Sequence, residues 1–246
     1  MAHDVDPPSQ PDGEAPIHLP PEAISGWILS PAETNESRLA KHRLVQAIRE
    51  AITALVILDV AESDAAAITA EVDGLTEAVG ALTQRISALP TLSKGTGMAG
   101  GDDARLLERS PMSGRSNPVA PPLHLSREED RVVGWATYSY QYEGPPGCVH
   151  GGCVAAAFDD LLGAAQTLSG MAGFTGTLSV RMVLPTPLHR RIDYEGGVTS
   201  VEGRKILTWG KASHAGDVVA EATGLFIAPR AGTSYDLTAR GGTGAG

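Results

Sequence analysis

The stretch that decides the fold reads Gly144-Pro145-Pro146-Gly147-Cys148-Val149-His150-Gly151-Gly152. It continues Cys153-Val154-Ala155-Ala156-Ala157-Phe158-Asp159-Asp160-Leu161-Leu162-Gly163-Ala164-Ala165. The opening Pro/Gly run is a turn and cannot be regular structure. The residues after it are rich in Ala and Leu with no proline before Pro185, which predicts a helix over 151–169. Two glycines at a helix start leave backbone N–H donors uncovered, with the positive end of the helix dipole behind them. A carbonyl oxygen gaining negative charge sits well at such a place. Ala155, Ala156, Gly163, Ala164 and Ala165 are small enough to let a sheet approach the helix closely. Asp159, two turns in, is a charge in an apolar helix. On pattern alone, a capping turn and a core helix with one exposed acid explain the stretch equally well.

Strand signals surround this helix. Arg131 to Tyr142, rich in Val, Thr, Tyr and Trp, is the first. Thr175 to Leu184 alternates Leu178, Val180, Met182 and Leu184 on one face with Thr177, Ser179 and Arg181 on the other. Arg191 to Val201, Lys205 to His214 and Val218 to Ala228 come next, joined by the short turns Glu202-Gly203-Arg204 and Ala215-Gly216-Asp217. Such turns make the last three strands an antiparallel meander. Five strands with one buried helix are too few for a sandwich, so the expected class is α+β, an antiparallel sheet wrapped around a central helix.

The N-terminal part has a different character. Residues 1–33 are Pro-rich and acidic and read as an arm. Over 34–90 two helical stripes appear. The first is Leu44, Ile48, Ala51, Leu55 and Leu58. The second is Ile68, Val72, Leu75, Val79, Leu82, Ile86 and Leu89, a strict 4-3 alternation over three heptads that ends at Pro90. A short turn with candidate N-caps at Ser63 and Asp64 predicts an antiparallel helical hairpin, serving as an oligomerisation or lid element or as an added helical layer. Residues 91–116 read as a linker, 117–230 as the second domain and 231–246 as a disordered tail. The linker contains Gly95-Thr96-Gly97-Met98-Ala99-Gly100, but a dinucleotide fingerprint follows a strand and opens a helix, and this one does neither.

A net charge of −10 argues against bulk binding to nucleic acid or anionic membrane. Two cysteines give no disulfide framework, the N-terminus has no signal-peptide pattern, and no apolar run is long enough to span a bilayer. A soluble cytoplasmic protein is expected.

The candidate chemistry centres on the glycine turn. Gly151 and Gly152 offer donors for an oxyanion. Asp159 offers a base or a nucleophile, and Thr175 a hydroxyl for a water or for that carboxylate. His150 either lines the pocket or caps the helix through its ring. Cys148, His150 and Cys153 suggest a metal site lacking a fourth ligand, or a Cys153 nucleophile in the first helical turn; no metal is expected. Arg181, Arg190, Arg191, Arg204 and Lys205 gather positive charge in an acidic chain, and Arg204-Lys205 forms the best phosphate contact.

These residues resemble the hotdog-fold acyl-CoA thioesterases of the PaaI-like group. There His-Gly-Gly opens the central helix and a catalytic Asp stands nine residues after the His; His150 plus nine is Asp159, with Asp160 its neighbour. In one branch, that of the thioesterase superfamily members, a Thr comes sixteen residues later, where Thr175 stands. Arg181 to Leu188 and Glu202 to Lys205 are similar to later family elements, and the resemblance covers roughly 117–228. PaaI itself carries an Asn six residues before the His; Gly144 stands there instead. The resemblance implies the hotdog fold and hydrolysis of a fatty or aryl acyl-CoA thioester to free acid and CoA. Catalytic roles would fall on Asp159, Thr175, Gly152, Gly151 and His150, and substrate contacts on Arg204, Lys205 and Arg181. It implies no cofactor beyond the coenzyme A of the substrate, and a homodimer or homotetramer whose sites combine two chains. A hotdog dehydratase or hydratase and a non-catalytic acyl-CoA-binding scaffold are the alternatives.

Overall fold

The structure, a computed structural model, describes residues 36–58, 65–89, 108–121 and 123–230. The expected arm over 1–33, the linker up to 107 with its Gly95–Gly100 motif, the turn at 59–64 and the tail over 231–246 lie outside these residues.

Two helices come first, α1 (Glu36–Val56) and α2 (Ala65–Ser87). Strands β1 (His124–Arg127) and β2 (Val132–Thr137) precede the central helix α3 (Gly151–Ala165). Then come β3 (Phe174–Met182), β4 (Arg191–Glu202), β5 (Lys205–His214) and β6 (Asp217–Ile227). The six strands form one antiparallel sheet in the order β1-β2-β4-β5-β6-β3. The meander β4-β5-β6 is as the Gly turns require, with Gly203 and Gly216 at φ 56° and 95°.

Two differences from the sequence reading concern the strands before α3. The expected strand over 131–142 stops at Thr137, and Tyr140–Tyr142 closes into a 3-10 turn. The strand cannot run on because Tyr142 turns inward: its hydroxyl donates to the Val119 carbonyl at 2.9 Å. The extra strand β1 has only four residues before the acidic run Glu128-Glu129-Asp130, too few for alternation to show. Its ladder to β2 holds it, together with His124 stacked on Trp135 at 4.0 Å between ring centroids.

The sheet curls round α3, which touches β2, β3, β4, β5 and β6. Val154, Ala157, Phe158, Leu161, Leu162, Ala164 and Ala165 are buried against Ile192, Tyr194, Ile206, Ala212, Ala220 and Phe226. Each of the larger side chains contributes about 2 kcal/mol by leaving water. Glycine lets the layers close: a Cβ on Gly210 would stand 3.0 Å from Leu162 Cδ2 and 3.1 Å from Phe158 Cδ1. The last five residues of α3, Leu161 to Ala165, are all buried, which is why that end reads as uniformly apolar.

Helix α1 is an added layer docked on this body. Val45 and Arg49 are buried, and Arg49 Nη2 donates to the carbonyls of Gly114 at 2.9 Å and Asn117 at 2.7 Å. Thr53 donates to Gln141 Oε1 at 2.6 Å, and His42 Nε2 pairs with Glu108 Oε2 at 2.8 Å. Residues 108–116, expected as linker, are therefore part of the packed domain. Their Ser and Gly content serves tight turns, and Glu108, also held by Ser116, and Met112 are buried. The second helix contributes no fully buried residue among those described: Val72, Leu75, Val79, Ile86 and Leu89 of its heptad stripe are exposed, and Ile68 and Leu82 half-buried. No helix among the described residues is long and apolar enough to cross a membrane.

Candidate active site

The turn before α3 is fastened on both sides. Gly144 N–H donates to the Cys148 carbonyl at 2.9 Å, His150 N–H to Tyr142 at 2.8 Å, and Val149 N–H to Thr186 at 2.8 Å. Leu188 N–H donates back to Gly147 at 3.0 Å, so the β3–β4 connection clamps the helix entry. Gly147 takes φ 74°, and a Cβ on Gly144 would stand 2.8 Å from His150 Cα. The absence of an Asn at position 144 thus has a steric cause in this chain.

At the helix start the ring of His150 does the capping. Its Nδ1 accepts the Gly152 N–H at 3.0 Å, so a neutral ring carries its proton on Nε2. Of the two glycine donors, Gly152 is engaged in this cap, while the Gly151 N–H has no partner among the described residues. Gly151 is exposed, and a Cβ there would meet only the flexible Met182 Cε at 3.5 Å. The open donor at the positive end of the dipole is therefore Gly151.

Asp159 is exposed and accepts the Thr175 hydroxyl at 2.9 Å on Oδ1. Asp160 faces the other way. Ser110 and Ser113 donate to its Oδ2 at 2.5 and 2.6 Å. Burial pushes the Asp160 carboxyl above the usual carboxylate range, while the two serines hold it back. Neighbouring helix positions diverge by about 100°, so the two acids have unrelated surroundings. Sequence reasoning missed Ser110 and Ser113, which sit in the expected linker; an acid beside an acid in an apolar helix was the available signal.

Both cysteines are free thiols. Burial pushes the Cys153 thiol up, which counts against its being an activated nucleophile. Among the described residues no group of His, Cys, Asp or Glu is arranged to hold a metal ion.

The basic residues fall at two ends of the sheet. Lys205 pairs with Ile227, which pairs with Phe174, so the Arg204-Lys205 turn lies at the Thr175 end. Arg204 Nη1 donates to the Ala228 carbonyl at 2.8 Å, and Lys205 is exposed. Arg181, at the Met182 end, forms an exposed ion pair with Glu221 at 3.0 Å.

No protein-family model matches the chain. A crystal structure of a thioesterase superfamily protein superposes with a TM-score of 0.62 at 31% identity, over 76% of this chain and 94% of that one. The acyl-coenzyme A thioesterase THEM4 of Xenopus laevis is 38% identical over 107 residues, 43% of this chain and 48% of the relative. The chain thus spans about half the length of that curated relative. With a six-stranded antiparallel sheet wrapped on a helix opened by His150-Gly151-Gly152, the chain belongs to the thioesterase superfamily and has its hotdog fold.

Proposed function

We propose that this protein hydrolyses acyl-CoA thioesters to the free acid and CoA, in sites each built from two copies of the chain. The observation that carries the reading is the hydrogen bond from Thr175 to Asp159 on the same helix that ends in the open Gly151 N–H. An oxyanion donor and an oriented carboxylate are the two parts thioester hydrolysis requires. The acyl-CoA name of the Xenopus relative supports the choice of thioester.

Thr175 fixes one oxygen of Asp159 and leaves the other to take the proton of an attacking water. That water adds to the thioester carbonyl carbon while the oxygen, now negative, lies on the Gly151 N–H. Collapse of the tetrahedral intermediate expels CoA thiolate and leaves the acid. Gly151 and Asp159 are eight residues apart, about 12 Å along one helix, too far to serve one carbonyl. β3 supplies the remedy. Its nine residues form a sheet edge that, among the described strands, pairs with β6, with Thr175 at one end and Met182, beside Gly151, at the other. Antiparallel pairing of two β3 edges about a two-fold near Leu178 brings the Asp159 of one copy toward the Gly151 of the other. The Arg204-Lys205 turn, at the Asp159 end, then faces the phosphates of CoA.

Purified protein is to be incubated with acyl-CoAs of graded chain length, including aryl thioesters, in the presence of a thiol reagent. Catalytic thiol release is the expected result. Binding without release across the whole panel would replace this reading with a non-catalytic acyl-CoA-binding role.

A further inference from the structure

Helix α2 is an amphipathic helix with no fully buried side chain among the described residues; Ile68 and Leu82 are half-buried. Val72, Leu75, Val79, Ile86 and Leu89 are exposed, Leu75, Val79 and Leu89 by 55%, 60% and 61%. A lone helix of 23 residues with two internal glycines, Gly74 and Gly80, has little intrinsic stability, so a packed partner is needed to hold it. Its sequence specifies which partner. Read as heptads, Val72, Val79 and Ile86 occupy a, and Ile68, Leu75, Leu82 and Leu89 occupy d. The seam is continuous and free of polar residues, with branched side chains at Val72, Val79 and Ile86 and leucine at most d positions, as a coiled-coil seam requires. Both glycines lie at outward positions, c and b, as do Asp73 at b and Glu77 at f.

The flanks give the direction. Every e position within the helix is threonine: Thr69, Thr76 and Thr83. The g positions are Glu71, Ala78 and Arg85. In a parallel pair g faces e of the partner, and no charge meets another. In an antiparallel pair g faces g, so Glu71 of each copy meets Arg85 of the other while the two Ala78 residues meet near the two-fold axis. The core layers then pair Val72 with Leu82, Val79 with Leu75 and Ile86 with Ile68, each a branched residue against a d residue. We propose that α2 is a self-association element that pairs antiparallel with α2 of a second copy of this chain, as a two-stranded coiled coil. This contact is separate from the β3 edge and does not rest on the proposed activity.

Sedimentation equilibrium of the full chain tests it. Leu75→Asp/Val79→Asp is expected to raise the dissociation constant of the assembly by about tenfold or more, seen either as a smaller mass or as a weaker dimer. Both positions are exposed within one copy, so the denaturation midpoint of the sheet domain should hold at low protein concentration. Arg85→Glu and Glu71→Arg should each weaken assembly, and Glu71→Arg/Arg85→Glu should restore it. An assembly unchanged by Leu75→Asp/Val79→Asp overturns the proposal and is the result expected if α2 folds onto its own chain. Weakening by the charge reversals without restoration in the double variant, or no effect of them at all, overturns the antiparallel register.

Discussion

Thr175 Oγ1 donates to Asp159 Oδ1 at 2.9 Å, joining the start of the edge strand β3 to the middle of α3. Next to it in sequence, Asp160 is enclosed by Ser110 and Ser113. The two acids therefore make opposite predictions. Asp159→Asn is expected to lower kcat by about 100-fold or more with an unchanged thermal midpoint, the size of effect that loss of a positioned base produces. Thr175→Ala should cost about tenfold, since the carboxylate survives but loses its orientation. Asp160→Asn should leave kcat within about threefold. Steady-state kinetics beside thermal melts of the three variants decide the matter, and a larger kcat loss at Asp160 would remove Asp159 from the site.

Asp160 acts instead on stability. Its folded carboxyl holds its proton more tightly than an unfolded one, because burial outweighs the two serine hydroxyls. A native state that binds the proton more tightly loses stability as pH rises from the ordinary Asp range, near about 3.9, through the raised folded value. Asp160→Asn should flatten that decline, so wild type and variant diverge most at neutral pH. Urea titrations at a series of pH values measure the slope. A wild-type stability that rises with pH in that interval through this residue would reverse the assignment.

Most of the body was legible because its signals are local. The helix at 151 and the three-stranded meander are spaced by backbone periodicity and short Gly turns, while the offset from His150 to Asp159 came from the family resemblance. The features that escaped depend on contacts distant in sequence. Ser110 and Ser113 sit in a Gly/Ser-rich stretch that reads as linker, and only the position of Asp160 about fifty residues later gives them work. β1 is defined by its ladder to β2 rather than by its own four residues. The ring of His150 had two readings, and the choice between them lay in the 3.0 Å contact to Gly152. The ion pair of Arg181 with Glu221 likewise follows from the β3–β6 register, which no local pattern shows.

Gly144 and Gly147 sit three residues apart in one turn but differ in what they tolerate. A Cβ at Gly144 would lie 2.8 Å from His150 Cα and 3.2 Å from its nitrogen, both backbone atoms that carry the helix start. At Gly147 the space is open and only the φ of 74° resists substitution. Gly147→Ala should therefore cost about 1 kcal/mol of stability with kcat little changed. Gly144→Ala should cost about 1–3 kcal/mol, as overpacking does, and should also lower kcat by displacing the His150 cap. Chemical denaturation and kinetics on the pair test this, and equal kcat values would show that the turn does not position the glycine donor.

The sharpest consequence concerns how many chains make a site. Gly151→Val covers the open N–H at the oxyanion end, and its Cβ meets only Met182 Cε at 3.5 Å, so the fold should survive. Asp159→Asn removes the carboxylate at the other end and leaves the exposed surface isosteric. Each variant alone is expected to be inactive. Co-refolded in equal amounts, they form mixed dimers in which one composite site inherits both defects and the other inherits neither. Random pairing makes half of the dimers mixed, so activity should return to roughly a quarter of wild type. Differently tagged chains, purified in sequence to isolate the mixed dimer, should raise this to about half. Sites contained within single chains stay dead in every pairing, so isolated mixed dimers without activity would show that Gly151 and Asp159 of different copies do not share a substrate.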